Sequence, residues 1–309
     1  MTDERESIRL QILQSLLQTI QSSGFNETNI PGVKLYRSDG PTSATPAIYE
    51  PTLCLLVQGS KQVWLGDELL QYRELQYLIA PVTLPVSGKV VTASPASPYI
   101  AMSISLDLRE LTDLVIDIAH KELPQHTLVS STSVNSTPVR GIAVGDADLS
   151  LMSVLQRLSQ LLQSPQDIPV LLPLLKREML YRLLLGPIGS QLREFTQIDS
   201  QAHRISKVIE MLHQRFNEPL RIKELAETVH LSESAFFQAF KAVTSMSPLQ
   251  FQKQLRLNEA RRIMLHEGIE AATASYKVGY ESPSQFSREY SRLFGAPPKT
   301  DVARFRQAF

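Results

Sequence analysis

The chain repeats a small pattern at an interval of fifty residues. "FFQAFKAVTSMSPLQF" begins at Phe236 and "FSREYSRLFGAPPKTD" at Phe286, so Phe236 aligns with Phe286, Phe240 with Tyr290, Ser245 with Gly295 and Pro248 with Pro298. Side chains four apart lie one above the other on a helix, so each copy reads as a helix anchored by two aromatic residues. Whatever else it forms, the chain must build one small helical unit twice.

The first copy parses as two short helices. "IKELAETV" places Ile222, Leu225, Ala226 and Val229 on one face, "LS" interrupts it, and Ser232 is a suitable N-cap for "ESAFFQAFKAV". In the second, "AATASYKV" is followed by "GYE", then by Ser282 as cap and Pro283 at the first helical position. Two helices joined by a short turn form a helix-turn-helix, and the second turn is one residue longer than the first. With the aromatic anchors facing inward, the outward set is Ser234, Phe237, Gln238 and Lys241 in the first copy and Ser284, Gln285, Arg288 and Arg292 in the second. Gln pairs with adenine and Arg with guanine across the major groove, while Ser and Lys suit phosphates. Exposed Gln and Arg are also ordinary on any helix, and the reading rests on the repeat.

Between the copies, "SPLQFQKQLRLNEARRIMLHEG" has Ser247 and Pro248 as start signals and Gly268 as a stop. About 18 helical residues at ~1.5 Å each make a strut of roughly 27 Å, suited to holding two reading helices near the ~34 Å repeat of the major groove. Charge agrees with this placement. Residues 1–200 carry 15 Lys/Arg against 20 Asp/Glu and residues 201–309 carry 16 against 11, so a net charge of zero divides into −5 and +5.

From about Ile30 to Leu106 the texture changes to short apolar runs punctuated by Pro and Gly, with Gly66-Asp67 as a tight hairpin connection. Such runs predict a small β barrel or sandwich. From Leu108 to Leu185 the pattern is helical. Leu151, Leu155, Leu158 and Leu162 form a stripe capped by Asp148 and ended by Pro165, suited to packing on the barrel or on a second copy. A second helix runs through "DIPVLLPLLKREMLYRLLL", with Pro173 as its candidate start. The segment 186–203 reads as a boundary.

Residues 204–309 resemble the DNA-binding domain of the AraC/XylS family of transcription regulators, through "LAETVHLSESAFFQAFKAVTSMSPLQFQKQLRLNEARRIML" and "YKVGYESPSQFSREYSRLFGAPP". The resemblance implies two helix-turn-helix units on a shared helix, with base-reading positions at Ser234, Gln238, Ser284, Gln285 and Arg288. It also implies a structural pair of Arg256 and Glu259. Ser245 stands where the family commonly has glycine, and most of the specificity is expected from the second unit. "YEPTLCLLVQGSKQVWLGDELLQYRELQYLIAPVTLPVSG" is similar to the N-terminal domain of one branch of these regulators, which implies a cupin-like barrel that senses a small molecule or mediates dimerisation.

The expectation is a two-domain α+β chain. Residues 1–24 form an N-terminal helix or arm, 25–190 a cupin-like regulatory domain with flanking helices, 191–203 a linker, and 204–309 an all-α domain of two helix-turn-helix units on a long helix. Double-stranded DNA, RNA polymerase, a small-molecule effector and a second copy in a homodimer are the expected partners of a cytoplasmic activator, with no membrane, cofactor or metal. Effector contacts are sought at Tyr49, Cys54 and Trp64, which also suit a core; Cys54 reads as a buried hydrophobe or as a thiolate sensor of oxidants or aldehydes. The alternative is a cupin-type small-molecule-binding protein or metal enzyme whose helix-turn-helix module contacts protein. Against an enzyme, His120, His126, His203, His213, His230 and His266 all lie outside 30–105, so the strand region has no histidine for a metal.

Overall fold

A computed structural model describes residues 2–120 and 139–307; His126 lies outside the described residues. Helix α1 (Thr2–Thr19) leads into nine strands: β1 (Gly24–Glu27), β2 (Val33–Ser38), β3 (Thr45–Tyr49), β4 (Thr52–Gln58), β5 (Ser60–Leu65), β6 (Glu68–Arg73), β7 (Gln76–Ala80), β8 (Leu84–Thr92) and β9 (Tyr99–Ser105). Then come α2 (Leu108–His120), β10 (Ala143–Asp146), α3 (Leu149–Gln160), α4 (Ile168–Leu185) and α5 (Gly189–Thr196). The helices α6 (Gln201–Gln214), α7 (Ile222–Thr228), α8 (Glu233–Thr244), α9 (Pro248–His266), α10 (Ala271–Lys277), α11 (Pro283–Phe294) and α12 (Pro298–Gln307) complete the chain.

The strands form two antiparallel sheets, one ordered β1-β2-β9-β4-β7-β10 and the other β3-β8-β5-β6. No described pairing joins them, so the expected closed barrel is instead two facing sheets. Side chains alternate across a strand, and β4 divides its own accordingly: Leu53, Leu55 and Val57 face α1, α3 and α4, while Cys54 and Leu56 face the second sheet. The result is helices on one side of the six-stranded sheet and the four-stranded sheet on the other.

Local features follow the residues closely. Asp148 caps α3 by accepting from the Leu151 N–H at 2.7 Å. Leu151, Leu155, Leu158 and Leu162 are buried against α1, α4 and the sheet, so this stripe packs within the chain. Gly66, at φ +59°, turns β5 into β6.

Three expectations change. Helix α4 begins at Ile168 with proline in its first two positions and runs through Pro173, whose missing N–H would have met only the carbonyl of residue 169, near the helix start. Strand β10 interrupts the helical region by pairing with the free edge of β7. The stretch expected as a linker contains the end of α5 and the start of α6, with Phe195 and Ala202 buried.

Candidate nucleic-acid interface and the interior between the sheets

Each repeated helix is built by the same local devices. The Ser232 hydroxyl accepts from the Ala235 N–H at 3.3 Å and the Ser282 hydroxyl from the Gln285 N–H at 3.4 Å. Four residues separate α7 from α8 and five separate α10 from α11, matching the one-residue difference in the turns. Phe236 and Phe240 are fully buried, as are Phe286 and Tyr290. Both helices end on a left-handed residue, Ser245 at φ +57° and Gly295 at φ +74°.

Burial of the anchors turns the intervening residues outward. Ser234, Phe237, Gln238 and Lys241 are all exposed, as are Ser284, Gln285, Arg288 and Arg292. Lys241, Arg288 and Arg292 have no ion-pair partner among the described residues, so their charge is available to a polyanion. The Gln285 amide donates to Glu289 at 3.3 Å. Glu289 itself is partly buried, which alone would raise its pKa. The Lys253 ammonium at 3.0 Å, the Tyr280 hydroxyl at 2.8 Å and Gln285 instead hold it below the usual carboxylate range.

The strut α9 has 19 residues, about 28 Å at ~1.5 Å each. A reciprocal capping box between Ser247 and Gln250 starts it. Arg256 does not pair with Glu259. It donates to the carbonyls of Phe216, Glu218 and Gly279 at 2.7, 2.8 and 2.9 Å, tying the chain after α6 to the turn after α10. Burial lowers its pKa. Glu259 pairs with Arg262 one turn on, at 2.8 Å. The structural role expected of Arg256 stands, but its partners are backbone groups that no spacing rule could supply.

The two units are held differently. Around α11, Arg261 of the strut makes two hydrogen bonds to Asp301 of α12, at 2.8 and 3.1 Å, and Asp301 accepts from the Tyr290 hydroxyl at 2.7 Å. This unit has its own core of Leu257, Ile263, Met264, Val278, Phe286 and Tyr290. Around α8, Phe236, Phe240 and Phe251 belong instead to a core continuous with the space between the two sheets, through Ile205, Phe195, Ile142 and Leu84.

The β5–β6 hairpin and the chain before β10 also grip the end of α8. The Gly141 N–H donates to the Val243 carbonyl at 2.8 Å, the Ser245 hydroxyl donates to Glu68 at 3.4 Å, and Glu68 pairs with Arg140. Gly66 approaches so closely that a Cβ there would lie 2.6 Å from the Ser245 carbonyl oxygen. Elsewhere β3 packs on α9 and α11, and Glu50 lies 3.4 Å from His213 of α6. Beside that pair, a groove of about 570 Å³ is lined by Thr83, Asp107, Arg109, Lys176 and Glu210.

Of the residues considered for an effector, the structure brings two together. Cys54 is buried, with the Tyr72 hydroxyl 3.7 Å from its sulfur, and Tyr49 lies over Lys61 in the same interior. Trp64, opposite Leu69 and Ser87, lies on the outer face of its sheet under the Lys89 ammonium at 5.9 Å. Lys61, Tyr36, Tyr72 and Tyr99 escaped the sequence reading. The alternation of Lys61 with the apolar Val63 and Leu65 was the available signal.

Comparison with known proteins follows this architecture. The model of the AraC-type transcriptional regulator N-terminus matches residues 29–191, and a helix-turn-helix domain model matches residues 225–304. The transcriptional activator RhaS of Escherichia coli (strain SE11) is 27% identical over 164 residues, covering 51% of this chain and 57% of that protein. CdhR, an HTH-type transcriptional regulator of Pseudomonas aeruginosa, is 29% identical over 113 residues, covering 37% and 34%. The matches thus span less than two thirds of these relatives' length. ToxT of Vibrio cholerae, solved with a bound unsaturated fatty acid, shares the fold at a TM-score of 0.54 and 9% identity, over 92% of this chain and 97% of that one. With one family model matched over more than half its length, the chain belongs to the AraC-type transcriptional regulators.

Proposed function

We propose that this protein is an effector-responsive transcription activator that reads two adjacent major-groove segments with α8 and α11. Two outward polar faces, repeated fifty residues apart and joined by one rigid helix, carry this reading. Ser234, Gln238 and Lys241 would face one segment and Ser284, Gln285, Arg288 and Arg292 the next, with Arg288 giving the most discrimination. Residues 25–190 would act as the cupin-like sensor and 204–309 as the reader. The shared core gives the sensor a physical route to α8. ToxT has been captured with a fatty acid, which supports a small-molecule effector here.

RNA polymerase is the proposed partner on the promoter, in the cytoplasm; among the described residues no helix is long and apolar enough to cross a membrane. A homodimer is proposed through the exposed Val170 and Leu174 of α4. Recovery of sheared genomic DNA by the purified full chain, followed by salt titration of the strongest fragment, tests the reading. Discrete sites holding two short boxes about one helical turn apart, weakened by Arg288→Ala, are expected. Uniform recovery that no small molecule sharpens would reject it.

A further inference from the structure

The interior between the sheets holds a cation with no anion. On β5, Val63 and Leu65 are fully buried and Lys61 alternates with them, so its side chain enters the same interior. There its ammonium stands 5.5 Å from the ring centre of Tyr49, 5.8 Å from that of Tyr36 and 6.0 Å from that of Tyr99. Tyr36 and Tyr99 come from the six-stranded sheet and Tyr49 from the other, so the charge lies between the layers. No carboxylate lies within ion-pair distance of Lys61 among the described residues. Burial alone disfavours the ammonium, yet the oxygens of Tyr49 and Tyr99 and the Cys54 sulfur hold its pKa above the usual lysine value.

Around it the polar atoms are mostly tyrosine hydroxyls, each able to donate as well as to accept. The Tyr99 hydroxyl is fully buried and has no partner in hydrogen-bonding geometry. The Tyr72 hydroxyl faces the Cys54 sulfur at 3.7 Å and the neighbouring Tyr99 oxygen. A half-buried lysine with no carboxylate partner and a buried, unpartnered Tyr99 hydroxyl carry a desolvation cost that an entering acceptor would offset. Lys61 and Tyr72 are directly opposite on β5 and β6, and Tyr72 also lines a groove of about 570 Å³ with Gly59, Ser60, Gln71, Arg73 and Thr92. That lining carries one cation, Arg73, and one carboxylate, Glu74, which accepts from the Gly59 N–H at 2.6 Å.

We propose that Lys61, Tyr49, Tyr72 and Tyr99 form the effector site, and that it takes a small molecule with one carboxylate and an apolar body. The carboxylate pairs with Lys61 and accepts from the Tyr99 and Tyr72 hydroxyls; the tyrosine rings enclose the body. The site deepens the regulator reading and rests on it for its role. Tyr49 ends β3, the strand packed on α9 and α11, and the next residue, Glu50, faces His213 of α6. An acid that repositions Tyr49 therefore acts on the strand that supports the reader, and shifts DNA affinity by its preference for one arrangement.

The test uses the full chain with benzoate, hexanoate and decanoate, each against its primary amide. At least one acid is expected to raise the melting midpoint by about 3 °C or more, with no such effect of its amide. Lys61→Gln abolishes the shift and Lys61→Arg keeps part of it. The acid that binds also changes affinity for the selected DNA site, and fails to do so in Lys61→Gln. The proposal is overturned if no acid outperforms its amide, or if the shift survives Lys61→Gln. Selective DNA binding with no acid effect leaves the regulator reading standing alone; a Lys61-dependent acid shift without any selected DNA leaves the site standing alone.

Discussion

The two helix-turn-helix units share a pattern, a fold and a pair of left-handed caps, yet they are anchored in different ways. The second closes its own core and is pinned by the Arg261, Asp301 and Tyr290 cluster. The first has no separate core: Phe236 and Phe240 are part of the apolar interior that continues between the sheets. Their caps differ accordingly. A Cβ on Gly295 would meet nothing within 4 Å, whereas Ser245 accepts left-handed strain and reaches Glu68 of the β5–β6 hairpin. Local repetition therefore does not imply equivalent roles. One unit is positioned by the N-terminal domain and the other by the strut.

The comparison breaks most clearly in the aromatic anchors. Phe236→Ala and Phe286→Ala are each expected to cost about 3–5 kcal/mol. In calorimetry the first should lower the unfolding of the N-terminal domain and the first unit together. The second should split off an early transition of the second unit alone; identical single transitions would show that the cores are energetically one. Asp301→Ala leaves the Arg261 charge and the Tyr290 hydroxyl without their shared acceptor, at a cost of about 3 kcal/mol, and should likewise produce the early transition.

On DNA, Arg288→Ala should weaken the selected site by about 10- to 100-fold and relax one position of the sequence read. Gln238→Ala should weaken it less, measured by titration at fixed salt. Gly295→Ser should cost about 1 kcal/mol in denaturant unfolding, because the left-handed strain meets no compensating contact. Ser245→Gly exchanges that relief for loss of the Glu68 hydrogen bond and should be neutral to about 0.5 kcal/mol.

The smallest effect is acid sensitivity. Glu289 has a lowered pKa, so its contribution is present above the unfolded value of about 4.3 and is lost as pH falls through the folded one. The second unit should melt earlier in that acid range by under about 1 kcal/mol, and Glu289→Gln should flatten the pH dependence.

Much of the C-terminal domain was legible in the chain because its determinants are local. Caps, aromatic spacing, the left-handed positions and the outward residues follow from helical geometry within a dozen residues. The hairpin at Gly66 and the cap at Asp148 were legible for the same reason. Strand β10 was not, since four residues pair with β7 only because an edge there is free. Arg256 was placed in the strut correctly and given the wrong partner, because its carbonyl acceptors come from two distant turns. Trp64 suits an effector pocket or a core by residue type, yet the parity of β5 puts it on the face opposite Lys61, Val63 and Leu65.

Two helix-turn-helix units on one strut, the side chains that their second helices present and the strand-rich region before them could all be read from the chain alone. These are consequences of periodicity and capping, which act over one or two helical turns. The division of the strands into two sheets, the interior they share with the first unit and the place of Lys61 between the layers among three tyrosines emerge only in the folded chain. Those facts depend on strand register and on contacts between residues far apart in the chain, and each is set by the best burial available to the whole molecule rather than by any local preference.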